Sequence, residues 1–147
     1  MRLLFLCMTL LLVNTCENSK SVRPAELNRV FQLKFQQVAK IKSENIGIRF
    51  TSLIQESRCP KGVQCITAGV AEIALQLGKG EGQTEQIQLS TEAPANEISY
   101  SKYRIRLLDV SPYPSAGQRN DPNHYSVQLI ISQMDISSAP SSMNNRE

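Results

Sequence analysis

Two cysteines lie in the run Glu56-Ser57-Arg58-Cys59-Pro60-Lys61-Gly62-Val63-Gln64-Cys65-Ile66-Thr67-Ala68-Gly69, beside an acid, an arginine and a lysine. Thiols so placed support a disulfide, a redox pair or a metal site. A redox pair normally has Cys-x-x-Cys spacing at a helix start, whereas five residues intervene here. A structural zinc needs about four ligands, and His124 is the only histidine. The expectation is a structural disulfide between Cys59 and Cys65, with no metal and no cofactor. Pro60 and Gly62 suit the tight reversal that such a ring requires. Glu56 and Arg58 can pair with each other or with backbone amides to shape the loop, and Lys61 is offered near its tip. Tyr113, between Pro112 and Pro114, could join Tyr100, Tyr103 and Tyr125 in a shallow recognition surface, because tyrosine presents an apolar ring and a polar tip. Tyrosines so placed more often seal the end of a sandwich.

Other constellations carry less. Asp121, His124 and Ser126 superficially assemble a nucleophilic triad, but a triad is defined by geometry, and neighbours on a strand point to opposite faces. Gly78-Lys79-Gly80-Glu81-Gly82 lacks the Gly-Lys-Ser/Thr that leads into a helix in a phosphate loop, and a strand pattern follows it. No enzyme is expected.

The address of the chain is written at its start. Met1-Arg2 is followed by an apolar run from Leu3 to Val13 and a small-residue boundary, the layout of a secretory signal over residues 1–15. Eleven helical residues would rise only about 16 Å, roughly half a hydrocarbon core. Val13-Asn14-Thr15-Cys16 is similar to a lipobox, in which the signal is cut before a cysteine bearing a diacylglycerol. Cys16 is then a lipid anchor, which leaves only Cys59 and Cys65 to pair. The alternative is ordinary cleavage nearby and a secreted soluble protein.

The elements that must position these residues read as strands. Apolar residues alternate at Phe31, Leu33 and Phe35, at Val38 and Ile41, and at Ile46, Ile48 and Phe50. The pattern resumes at Ala71, Ile73, Leu75 and Leu77, reverses through Gly78 to Gly82, and continues at Ile87 and Leu89. Tyr103, Ile105 and Leu107 make another strand, broken at Pro112 and Pro114; Tyr125, Val127, Leu129 and Ile131 make the last. About six or seven strands with turn signals between them argue for an all-β fold, an antiparallel sandwich or small barrel with one internal disulfide. The division is a tether over 16–29, a β-domain over 30–134, and a polar tail expected to be disordered over 135–147.

Composition narrows the function classes. Among 147 residues, 41% hydrophobic and 20% charged content excludes wholesale disorder and a multi-spanning membrane protein. The net charge of +3 becomes +2 without Arg2 (15 basic minus 13 acidic), too small for an electrostatic nucleic-acid binder.

The run from Ser57 to Gly69 resembles a family of small, uncharacterised bacterial exported proteins and lipoproteins that carry Asp-Ser-Arg-Cys-Pro, a short gap, a second Cys and an Ala-Gly pair. The similarity continues in outline from Phe31 to about Ile131, through Tyr103-Arg104-Ile105-Arg106-Leu107 and the Pro112-Tyr113-Pro114 break. Glu56 stands where the family commonly has Asp, and Thr67 where it commonly has Trp. The resemblance implies export and a β fold, and no activity. The expected function is a lipid-anchored protein of the bacterial cell envelope with a non-enzymatic structural or interaction role. Its partners are the membrane, through Cys16, and an envelope protein. The alternative is a secreted peptidase inhibitor that offers Lys61 on the Cys59–Cys65 loop to a trypsin-like pocket.

Overall fold

Alternating apolar and polar residues put one face of each strand in a shared interior. The computed structural model describes residues 21–134 apart from 43, 80, 81 and 119; the expected signal segment, Cys16 and the tail over 135–147 lie outside the described residues. Two sheets face each other. The first, in spatial order, contains β1 (Val22–Ala25), β3 (Val38–Ile41), β4 (Ile46–Glu56), β5 (Ala71–Lys79) and β6 (Gln83–Ser90). The second contains β2 (Val30–Lys34), β9 (Ser126–Gln133), β8 (Tyr103–Ser111) and β7 (Glu97–Tyr100). All pairings are antiparallel except β1 with β3.

The fold is thus the expected all-β sandwich, with nine strands among the described residues instead of six or seven. The two additions are β1 and β7, each of four residues. The first lies inside the stretch read as a tether, so the ordered domain begins by Val22 and not at Val30. Of its residues only Ala25 is buried. A strand held by backbone pairing leaves little mark in the side-chain pattern.

The core joins both inner faces: Ile48, Phe50, Ile73, Leu75 and Leu77 of the first sheet meet Leu33, Ile105, Leu107, Val127, Leu129 and Ile131 of the second. Each such side chain withdrawn from water is worth about 1.5–3 kcal/mol. Phe35 meets Phe50 edge-on, with ring centroids 5.8 Å apart. Register shifts between Phe50 and Ser52 and between Leu53 and Gln55 interrupt the pairing of β4 with β5. The far half of β4 accordingly loses the strict alternation and is only partly buried.

A polar link ties the sheets at one end. Glu44, in the turn before β4, accepts a hydrogen bond from the hydroxyl of Tyr103, the first residue of β8, and lies 3.5 Å from Lys102 Nζ. The Tyr103 hydrogen bond, aided by the Lys102 charge, holds the Glu44 carboxyl below its ordinary pKa against the opposing effect of burial. Burial, then the hydrogen bond to Glu44, pushes the Tyr103 hydroxyl up.

Candidate interaction loop closed by Cys59 and Cys65

At the opposite end of the sandwich, β4 and β5 are joined by the segment that contains both cysteines. Its base is a short ladder. Ser57 N donates to Val70 O at 2.8 Å, Val70 N donates to Ser57 Oγ at 3.1 Å, and Cys59 N donates to Ala68 O at 2.7 Å. Gly69 makes this ladder sterically feasible. It has φ +66°, and a Cβ there would stand 1.8 Å from Ser57 O. Cys59 and Cys65 form the expected disulfide, with Cα atoms 5.9 Å apart.

Arg58 turns inward from this loop. Its side chain is 6% exposed, and that of Glu56 is 17% exposed. The guanidinium grips Glu56 with two hydrogen bonds, from Nε to Oε1 at 2.8 Å and from Nη2 to Oε2. It also donates from Nη1 to Val110 O at 2.6 Å and from Nη2 to Pro112 O at 3.2 Å. Both carbonyls belong to the second sheet or the turn that leaves it. Burial pulls the guanidinium pKa down, but the hydrogen bonds and charge of Glu56 outweigh it, so the pKa is raised. The charge persists at every accessible pH.

Tyr113 completes the cluster. The Arg58 Cζ lies 4.6 Å from its ring centroid, and Lys61 Nζ lies 5.7 Å from the same centroid. Two main-chain bonds lace the disulfide loop to this turn: Lys61 N donates to Pro114 O at 3.0 Å, and Ala116 N donates to Lys61 O at 3.2 Å. Tyr113, read from the sequence apart from the Glu56, Arg58 and Lys61 of the loop, therefore joins them in one assembly. Comparison of the chain with known families, curated proteins and solved structures returns no match.

The assembly divides by exposure. Glu56 and Arg58 are consumed in holding the sheets together, whereas Lys61 is exposed and Tyr113 is 41% exposed. Alongside them Val63 is 49% exposed and Ile66 is completely exposed. Sequence reasoning passed over Ile66 and Val63. The available signal was that neither belongs to an alternating run, so neither had a strand face to bury it.

Two of the three residues that mimicked a triad, Asp121 and Ser126, have other partners. Asp121 accepts from Asn123 N at 2.9 Å and from Asn123 Nδ2 at 2.8 Å, capping the short helical turn Pro122–His124. Ser126 Oγ accepts from Gln32 Nε2 at 2.7 Å. Gly78 and Gly82 flank the β5–β6 reversal, whose register closes at Lys79 and Gln83.

Proposed function

We propose that this chain is an exported, lipid-anchored envelope protein whose sandwich presents the Cys59–Cys65 loop as a non-enzymatic interaction surface. One observation carries the reading: Glu56 and Arg58 are spent inward on holding the sheets, while Lys61, Val63 and Ile66 on the loop segment and Tyr113 beside it are left facing out. Exposed apolar side chains within and beside a covalently closed ring, Val63 inside it and Ile66 next to Cys65, suit binding, since part of the ordering cost is met before a partner arrives. The Leu3–Val13 run, the boundary at Cys16 and the resemblance of the Ser57–Gly69 motif to exported lipoproteins support the address.

The inhibitor reading has less support. A lysine presented to a protease pocket needs its carbonyl free to enter an oxyanion hole. Here the Lys61 carbonyl accepts from Ala116 N, and its Nζ lies over Tyr113. Two measurements test the choice. Fractionation should find the wild-type protein in membranes and the Cys16→Ser variant released; equal membrane retention refutes the anchor. Trypsin should keep its activity at micromolar concentrations of the protein; stoichiometric inhibition would restore the alternative.

A further inference from the structure

Ser21 and the start of β1 lie toward the same end of the sandwich as the loop. β1 and β3 run parallel, and β3 runs antiparallel to β4, so the N-terminal end of β1 is the one nearer the end of β4 where the disulfide loop begins. Ser21 sits beside Gln37 and Val38: Val38 N donates to Ser21 O at 3.4 Å, and Gln37 O accepts from Phe50 N. Ser21 is therefore level with Phe50 along β4. From Phe50 to Glu56 a strand rises about 20 Å. The five residues from Cys16 to Ser21 span at most about 17 Å when fully extended. An acylated Cys16 is held no farther out than roughly the base of the loop, and the loop tip projects beyond it.

The chemistry of that tip fits a bilayer. Cys59 to Val70 holds one charged side chain, Lys61, in a chain of which 20% is charged; the facing connection from Pro112 to Tyr125 adds Arg119 and Asp121, both after Gln118. The disulfide segment contains no carboxylate, whose desolvation would oppose contact with lipid, and the carboxylate of the facing connection, Asp121, is engaged in capping the Pro122–His124 turn. Ile66 and Val63 offer apolar groups, Tyr113 offers an interfacial ring, and Lys61 offers a cation to anionic headgroups.

Resting on the anchored reading above, we infer that the Cys59–Cys65 loop docks on the membrane that holds the anchor, with Ile66 at the headgroup–acyl boundary. The short tether presses the tip down and fixes the orientation of the sandwich. Glu44, Lys102 and the end of β9 then face away from the lipid.

The chain has no tryptophan, so one introduced at the tip reports alone. The full acylated protein is reconstituted into vesicles of phosphatidylethanolamine and phosphatidylglycerol, carrying Ile66→Trp, Val63→Trp or, at the opposite end, Gln133→Trp. The expected result is emission shifted to shorter wavelength and quenched by brominated acyl chains at positions 66 and 63, with position 133 unmoved. An acylated, vesicle-bound protein whose tip tryptophans stay in water overturns this inference and leaves the anchor standing. Absence of the diacylglyceryl mass on Cys16 overturns the anchor and this inference together. A shift that requires added envelope protein and not lipid overturns it in favour of a protein partner.

Discussion

The Arg58 guanidinium donates to the main-chain oxygen of Val110 at 2.6 Å, joining a side chain rooted just beyond β4 in one sheet to the backbone of β8 in the other. At the far end of the same two strands, Glu44 and Tyr103 make the matching connection. β4 and β8 run in the same direction across the sandwich and are bridged at both ends. The interaction loop is thus mounted on a polar strut as well as on its own ladder.

Removing the strut should cost more than a surface ion pair. Arg58→Ala leaves the largely buried Glu56 without its partner and deprives Val110 O and Pro112 O of a donor. The expected loss is about 2–4 kcal/mol, below the largest values for buried pairs because Glu56 keeps some contact with water. Arg58→Lys keeps the charge but cannot hold Glu56 with two bonds while reaching both carbonyls, and should recover less than half of that loss. Urea unfolding of the three proteins checks the order. A loss under about 0.5 kcal/mol for Arg58→Ala would place the pair among ordinary exposed ones.

What the sequence revealed and what it concealed divide along the same physical line. Leu75, Leu77, Val127 and Leu129 alternate with polar neighbours, and burial of one strand face is what alternation encodes. β1 rests on backbone pairing with only Ala25 buried, and β7 offers just Ile98 and Tyr100 to the core, too short an alternation to stand out. At the site, the nearness of Glu56 to Arg58 and the pairing of Cys59 with Cys65 were readable from spacing and counting. The other Arg58 acceptors were not, because a carbonyl oxygen is common to every residue and only the fold selects which one a donor meets.

The disulfide should contribute through the unfolded chain. A ring of the Cys59–Cys65 size restricts the denatured state by about 2–2.5 kcal/mol on the chain-entropy account. Reduction, or joint replacement of Cys59 and Cys65 by Ser, should lower the denaturant midpoint accordingly. Intact mass without reductant should be two hydrogens below that of the reduced form. The strut leaves Arg58 in place in either state, so the sandwich itself should survive reduction, with proteolysis at Lys61 accelerated.

Stability should fall at both extremes of pH through one hydrogen bond. The Glu44 pKa is lowered in the folded state, first by the bond from Tyr103, so its contribution is complete above the ordinary carboxylate pKa and disappears as pH falls through the lower folded value. The Tyr103 pKa is raised, first by burial and then by Glu44, so its contribution is complete below the ordinary phenol pKa and disappears as pH rises through the folded value. Tyr103→Phe abolishes the tyrosine's contribution and the leading part of Glu44's, leaving the part that Lys102 supplies. Its unfolding midpoint, plotted against pH, should lack the part of the acid and alkaline limbs that the wild type shows; identical curves would exclude this pair as their source.

Two glycines of the loop should respond very differently to the same substitution. Gly62 has φ +85° with nothing within 4 Å of a Cβ, so Gly62→Ala meets only the backbone cost of a left-handed conformation, about 1–2 kcal/mol. At Gly69 the conformation is also left-handed, but the new carbon would lie 1.8 Å from Ser57 O, inside any permitted contact. Relief requires Ser57 and Val70 to separate, breaking the ladder that aligns Arg58 with Val110. Gly69→Ala should therefore destabilise the protein by at least 2 kcal/mol more than Gly62→Ala does, roughly the combined worth of the ladder bonds lost. It should also expose the Ser57–Val70 amides to hydrogen exchange, while Gly62→Ala leaves them protected. Equal effects at the two positions would mean that the loop base yields freely, and the tip would then lack the rigid mount on which its presentation depends.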